Sequence, residues 1–213
     1  MSMGRLGAVV STAATTYNVY QVPVNTTAEV NVTVYNGSGA VNKVSLFRSP
    51  TTTPTAIHTI QFDKIAVDAG YERTALILQA GDVISFKTDQ IGTSVVVSGI
   101  EYTSNSNEIL QQTLITTNTE TVIYSNSGAK AGTVNICVTM ADGSALTDTA
   151  TCKVYVSSSN AAGGYPILKY TISGSSNSGF EKTGQPIATT DKVILVTTGL
   201  VGSIATRVAG YTR

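Results

Sequence analysis

Apolar and polar positions exchange every second residue over short runs, with turn-forming residues between the runs. That is the period of half-buried strands, not the 3.6-residue period of a helix. In residues 57–62, Ile60 and Phe62 alternate with polar neighbours. In residues 83–88, Ile84 and Phe86 share a face, and in residues 94–101 Val95 and Val97 do so. Residues 17–22, 29–35, 43–48 and 72–78 complete a first set of about seven strands. A second set reads at 112–116, 119–124, 134–139, 152–156, 167–172, 192–197 and 204–209.

The two sets repeat one another. Gly70-Tyr71-Glu72-Arg73-Thr74 matches Gly179-Phe180-Glu181-Lys182-Thr183, and the match continues through Asp82 with Asp191, Thr88 with Thr198, and Gly92 with Gly202. Upstream, Val34-Tyr35-Asn36-Gly37-Ser38-Gly39 resembles Ile123-Tyr124-Ser125-Asn126-Ser127-Gly128, and Val44 to Phe47 resembles Val134 to Cys137. The pattern predicts an all-β fold of two tandem antiparallel β-sandwich domains, Ig-like or jelly-roll-like, related by internal duplication. The domains fall at residues 17–102 and 111–213, with the polar run 103–110 as a linker.

Residues 1–16 have no counterpart ahead of the second set. They read as an N-terminal arm laid on a neighbour, as an edge strand, or as disordered chain. Exposed strand edges invite pairing between chains, which makes Arg5, Leu6, Val9 and Val10 candidate assembly contacts. Residues 49–55, 157–164 and 174–179 read as loops on corresponding sides of the two repeats.

Composition narrows the function. Charged residues make up 12% of the chain and the formal net charge is zero, against ~25% charged residues in ordinary soluble domains. Lys and Arg are scattered singly, without the basic stripe that phosphate neutralisation requires, so a nucleic-acid partner is not expected. No apolar run approaches the ~20 residues of a membrane span. Residues 1–16 lack a signal-peptide core, which points to synthesis and retention in the cytosol or release by a route other than the general secretory pathway. A surface poor in charge fits either a Thr-rich exposed β protein or one covered by neighbours in an assembly.

Candidate chemistry is sparse. His58 is the only histidine, and mid-strand among Ile57, Thr59 and Ile60 it reads as a half-exposed strand residue and not as the base of a nucleophilic site. Glu72 and Glu181 occupy equivalent positions of separate repeats, so they do not face one another across a substrate. Asp142-Gly143-Ser144 with Asp148 reads as a turn and not as a calcium loop. Cys137 and Cys152 lie on what reads as one hairpin around Asp142-Gly143, with side chains on opposite faces, so free thiols are expected. Tyr35, Tyr124, Tyr71 and Phe180 read as repeat-equivalent core or turn plugs; Tyr165 and Tyr211 are freer to stack on sugars. Sequons at Asn25, Asn31 and Asn36 read as chance products of a Thr-rich chain. No catalytic residue, cofactor site or metal site is expected.

The run Gly70-Tyr71-Glu72-Arg73-Thr74-Ala75-Leu76-Ile77-Leu78-Gln79-Ala80-Gly81-Asp82-Val83-Ile84, closed by Val95-Val96-Val97-Ser98-Gly99-Ile100-Glu101, resembles β-sandwich structural modules of tailed bacteriophages, especially marine and cyanobacterial ones. Residues 17–102 carry the pattern well. Residues 111–213 carry it weakly, since Gly184-Gln185-Pro186 replaces the apolar run and Ala209-Gly210-Tyr211 replaces the closing segment. The resemblance implies a non-enzymatic virion structural protein made in the host cytoplasm. Decoration or cementing of the capsid exterior leads, ahead of a tail, neck or baseplate part and of a host-glycan-binding adhesin module. Its partners would be further copies of itself and the major capsid or tail proteins.

Overall fold

The structure, a computed structural model, describes residues 2–103, 108–128, 130–145, 147–161, 166–175 and 178–212. The chain divides into two compact units, Met1–Ser106 and Asn107–Arg213. The first holds β1 (Met3–Val10), β2 (Thr16–Gln21), β3 (Thr26–Asn36), β4 (Asn42–Ser49), β5 (Thr59–Ile65), β6 (Gly70–Leu78), β7 (Val83–Thr88) and β8 (Thr93–Thr103). The second holds β9 (Glu108–Ile115), β10 (Glu120–Ser125), β11 (Gly132–Met140), β12 (Thr149–Ser157), β13 (Leu168–Ser173), β14 (Gly179–Ile187), β15 (Lys192–Thr198) and β16 (Ile204–Thr212).

The strand orders make the duplication explicit. The first unit has sheets β1-β8-β3-β6 and β2-β7-β4-β5; the second has β9-β16-β11-β14 and β10-β15-β12-β13. Counting each unit from its own first strand, both read 1-8-3-6 and 2-7-4-5, and every pairing is antiparallel. This is the eight-strand, two-sheet order of a jelly roll.

Alternation explains the core. β3 buries Ala28, Val30, Val32 and Val34 and turns Glu29, Asn31, Thr33 and Tyr35 outward. Opposite lie Leu46, Ile84 and Phe86 from the second sheet, with Val95 and Val97 from β8. These β-branched and aromatic residues suit a pleated, one-sided face. In the second unit Ile123, Val134, Ile136, Val138, Val154, Ile172 and Ile194 are fully buried.

Four sequence expectations change. Each unit has eight strands, not seven: the additions are β1 and β14. Residues 1–16 do have a counterpart, because β1 and β9 open their units in the same way. The linker is shorter than 103–110, since Thr103 ends β8 and Glu108 begins β9. Cys137 and Cys152 are not on one hairpin. β11 pairs with β14 and β16, while β12 pairs with β13 and β15, so residues 141–148 cross between sheets.

The repeat itself splits. The Gly70 and Gly179 blocks occupy matching strands, β6 and β14, but the upstream match sets the end of β3 against the end of β10. Both places need the same device, a buried Asn tying loops together. The Asn36 amide donates to the carbonyls of Ala40 (2.8 Å), Ile65 and Ala66 (3.1 Å each). The Asn126 amide donates to those of Lys130 (3.0 Å) and Ala188 (2.7 Å). The local sequences resemble one another because the job is the same, at different corners of the sandwich.

Candidate interaction surface

β1 places the four candidate assembly residues. It pairs with β8 from Met3 to Val10 and is held at both ends. Glu101 N–H donates to the Ser2 carbonyl (2.7 Å), and Ser11 N–H donates to that of Thr93 (2.8 Å). Leu6 and Val9 pack against the core, whereas Arg5 and Val10 are exposed. Residues 1–16 are therefore part of the first unit as an edge strand and its following loop.

Loops 11–15, 37–41, 66–69 and 89–92 meet at one end of the first unit. Gly37 N–H donates to Gly92 O (3.2 Å), Gly92 N–H to Ser11 O (2.9 Å) and Asn36 N–H to Ala69 O (2.8 Å). Beneath them Asn42 donates to Thr88 Oγ1 (2.7 Å) and to Thr93 Oγ1, and Ser11 Oγ donates to Gln90 O (3.0 Å). The Tyr17 hydroxyl accepts from Thr12 N–H (2.9 Å) and Ala13 N–H (2.6 Å), and its ring stacks on Phe86. Satisfied buried polar networks of this kind hold loops in one conformation.

At this end the last residue of β1 and one aliphatic side chain from each of three loops are exposed. Val10 is 58% exposed, Val41 49%, Val67 41% and Ile91 60%. Tyr35 joins them at the end of β3, exposed and donating its hydroxyl to Asp68 Oδ1 (3.0 Å). Tyr35 is thus no core plug, unlike Phe180, which is buried against Tyr170. In the second unit the corresponding loops are 116–119, 141–148, 174–178 and 199–203. Among their described residues, Val201 is the large apolar side chain left exposed.

Of the three loops read as lying on one side, 49–55 and 157–164 both follow the fourth strand of their units. Loop 174–179 follows the fifth and lies at the opposite end, with the loops just described.

The remaining candidates have structural surroundings. His58 lies in a 3₁₀ turn, Ala56–His58, not within a strand, and its Nδ1 accepts Thr55 N–H (2.9 Å). Burial and the Arg48 guanidinium hold its pKa below 6.5. Arg48, one of the scattered cations, is buried and paired with Asp82. Arg48 Nε donates to Asp82 Oδ2 (2.7 Å), a second contact runs from its terminal nitrogen, and Gln79 N–H donates to the same oxygen (2.7 Å). A lone Arg-Ser-Pro and a turn Asp give no sequence signal of that pair; only the fold joins them.

Cys137 and Cys152 are buried thiols not joined in a disulfide, and burial pushes the Cys152 thiol up to about 12. Asn36 is buried, so its sequon serves loop closure. Asp148 Oδ2 accepts Ala145 N–H (2.7 Å). Among the described residues no cluster of three His, Cys, Asp or Glu is placed to hold a metal, and no helix is long and apolar enough to cross a membrane. Tyr165 lies outside the described residues.

No protein-family model matches the chain, and no curated protein does. Solved structures superpose distantly. The STIV MCP shares 7% identity at a TM-score of 0.37, over 98% of this chain and 95% of its own. The PBSX exported protein XepA shares 9% at 0.31, over 97% and 85%. The CBM22-1-CBM22-2 tandem domain from Paenibacillus barcinonensis Xyn10C shares 10% at 0.23, over 98% and 92%. The neighbours thus include a viral capsid protein, a phage-related protein and a carbohydrate-binding tandem; at these TM-scores none assigns a role to the chain.

Proposed function

We propose that the chain is a non-enzymatic structural component of a virion, carried on the particle exterior, where it decorates or cements the capsid. The observation that carries this reading is the loop end of the first unit. Val10 at the end of β1, and Val41, Val67 and Ile91 on three loops, stand exposed where hydrogen bonds tie those loops together. A single exposed aliphatic residue is ordinary on a soluble protein; several at one end of a unit offer apolar surface for a partner. A rigid apolar tip loses little entropy on docking, which favours a permanent place in an assembly.

The low charge of the chain, 12%, agrees with a surface largely covered by neighbours, because interface cores are depleted in charge. The sequence resemblance to phage structural modules supplies the virion context. Docking of the loop end onto a capsid lattice leaves the opposite end of the unit facing outward.

Val41→Lys and Ile91→Lys test the reading. Both positions are exposed, so the fold should hold within about 0.5 kcal/mol. Incorporation of the double variant into particles should fall by roughly tenfold or more, as a charge placed in an apolar contact demands. Normal incorporation would remove the loop end as the docking surface. Binding of the purified chain to host polysaccharide, lost in the same variant, would favour the adhesin module instead.

A further inference from the structure

Eight strands form the edges of the four sheets: β1 and β6, β2 and β5, β9 and β14, β10 and β13. An open edge presents unpaired N–H and C=O groups, and proteins blunt such edges with bulges, Lys or Pro. Seven of the eight are blunted in this way. Register shifts interrupt β1 between Arg5 and Gly7, β2 between Asn18 and Tyr20, and β10 between Val122 and Tyr124. The ladders of β5, β6 and β14 with their neighbours are shifted likewise, and β14 also carries Pro186. β13 keeps its register but carries Lys169 at its second position.

β9 has none of these devices. It pairs with β16 through eight successive residues, Glu108 to Ile115, without a shift. Its sequence, EILQQTLI, has no Gly, Pro, Lys or Arg, and its one charge stands at the first position. Among the described residues no strand pairs with its far side. Gln111 is exposed, and Leu114 is 37% exposed, an apolar side chain on an open edge.

The sequence of this edge is also self-complementary. Reading outward from Gln112, Gln111 faces Thr113, Leu110 faces Leu114 and Ile109 faces Ile115. We infer that β9 pairs antiparallel with β9 of a second copy about a twofold axis at Gln112, joining two β9-β16-β11-β14 sheets into one continuous eight-stranded sheet. A twofold interface needs a surface that complements itself, and a palindromic strand does so residue by residue. In that register position 114 stands opposite position 110, position 115 opposite 109, and Gln112 opposite itself. The outward main-chain groups would gain partners, the mode of recognition in which one strand extends another sheet. β1, the counterpart of β9 in the first unit, carries Gly4 and Gly7 and a bulge instead, so the two copies of the jelly roll have diverged at the edge that decides self-association. The inference uses residues of the second unit alone and does not rest on the virion reading.

A charge exchange at the axis tests it on the full chain by sedimentation velocity. The wild-type chain should be dimeric at tens of micromolar. Gln112→Lys and Gln112→Glu each set two like charges opposite one another and should raise the dissociation constant by roughly tenfold or more. Mixed in equal amounts, the two variants should recover a dimer, which a misfolded variant could not do. A monomeric wild type overturns the inference. So does a dimer that both single variants leave intact, or a mixture that stays monomeric while each variant melts as the wild type does.

Discussion

Asn31 and Ala75 meet across β3 and β6: the side-chain oxygen of Asn31 accepts the backbone N–H of Ala75 at 3.0 Å, and Ala75 holds φ at 54°. The second unit repeats the arrangement with Asn135 accepting from Gly184 at 2.9 Å, where φ is 65°. In both units the register shifts at this point, between Val30 and Val32 and between Val134 and Ile136. One bulge, closed by one Asn, has been kept in both copies while the residue at its apex changed from Ala to Gly or the reverse.

That difference gives a reciprocal prediction. A left-handed backbone costs an L-residue about 1 kcal/mol relative to Gly. Ala75→Gly should therefore stabilise the chain by up to about 1 kcal/mol in denaturant melts, and Gly184→Ala should destabilise it by about the same. No atom within 4 Å would meet a Cβ at Gly184, so the second effect is conformational and not a clash. Equal and unchanged midpoints for both variants would contradict the assignment.

The Arg48–Asp82 pair lies out of water on both sides. Its removal should be costly only when one partner is left behind. Arg48→Met strands the Asp82 carboxylate and should cost about 3–5 kcal/mol. Asp82→Asn added to it keeps an acceptor for Gln79 N–H and should recover much of that loss. The measurement is a double-mutant cycle in urea; additive losses would mean that the two groups do not interact.

His58 is the one side chain of its kind and the natural source of pH dependence near neutrality. Its folded pKa lies below 6.5, so between the two values the unfolded chain binds more protons. Stability then falls as pH drops below about 6.5 and the imidazole is protonated in the unfolded state first. The geometry agrees, because protonated Nδ1 cannot accept Thr55 N–H. His58→Asn, which offers an oxygen acceptor, should flatten melting temperature between pH 7 and 5. A wild-type profile already flat in that range would refute it.

Deleting residues 1–10 bears on the edge-strand assignment. Without β1, β8 loses its outer partner and the core loses the Leu6 and Val9 contacts. Burial of two aliphatic side chains contributes about 3 kcal/mol. The first unit should melt at clearly lower denaturant while the second is unaffected, as followed by hydrogen exchange. An unchanged first unit would mean that the segment is an arm and not a strand.

How far these features could be read in the sequence follows from what each depends on. The β class, the two units and the Gly70/Gly179 correspondence rest on local alternation and shared residues, and they are legible. β14 was hidden because Gly184 and Pro186 break the alternation, although the bulge is what that Gly serves. The crossing of 141–148 between sheets was hidden because Asp142-Gly143 is also a good hairpin turn. The apolar loop end required the fold: Val10, Val41, Val67 and Ile91 are isolated residues in the chain, gathered only by the jelly-roll connections. The Arg48–Asp82 pair was likewise beyond local reading, since Arg48 lies on β4 and Asp82 in the turn before β7.

The most direct measurement of the central claim is quantitative mass spectrometry of purified, intact particles from the source that encodes the chain, with surface proteolysis before and after disruption. The account predicts the chain at many copies per particle and cleavable in intact particles at loops opposite the docked end, 49–55 among them. Its absence from purified particles, or its presence only in lysate fractions free of them, would contradict the account.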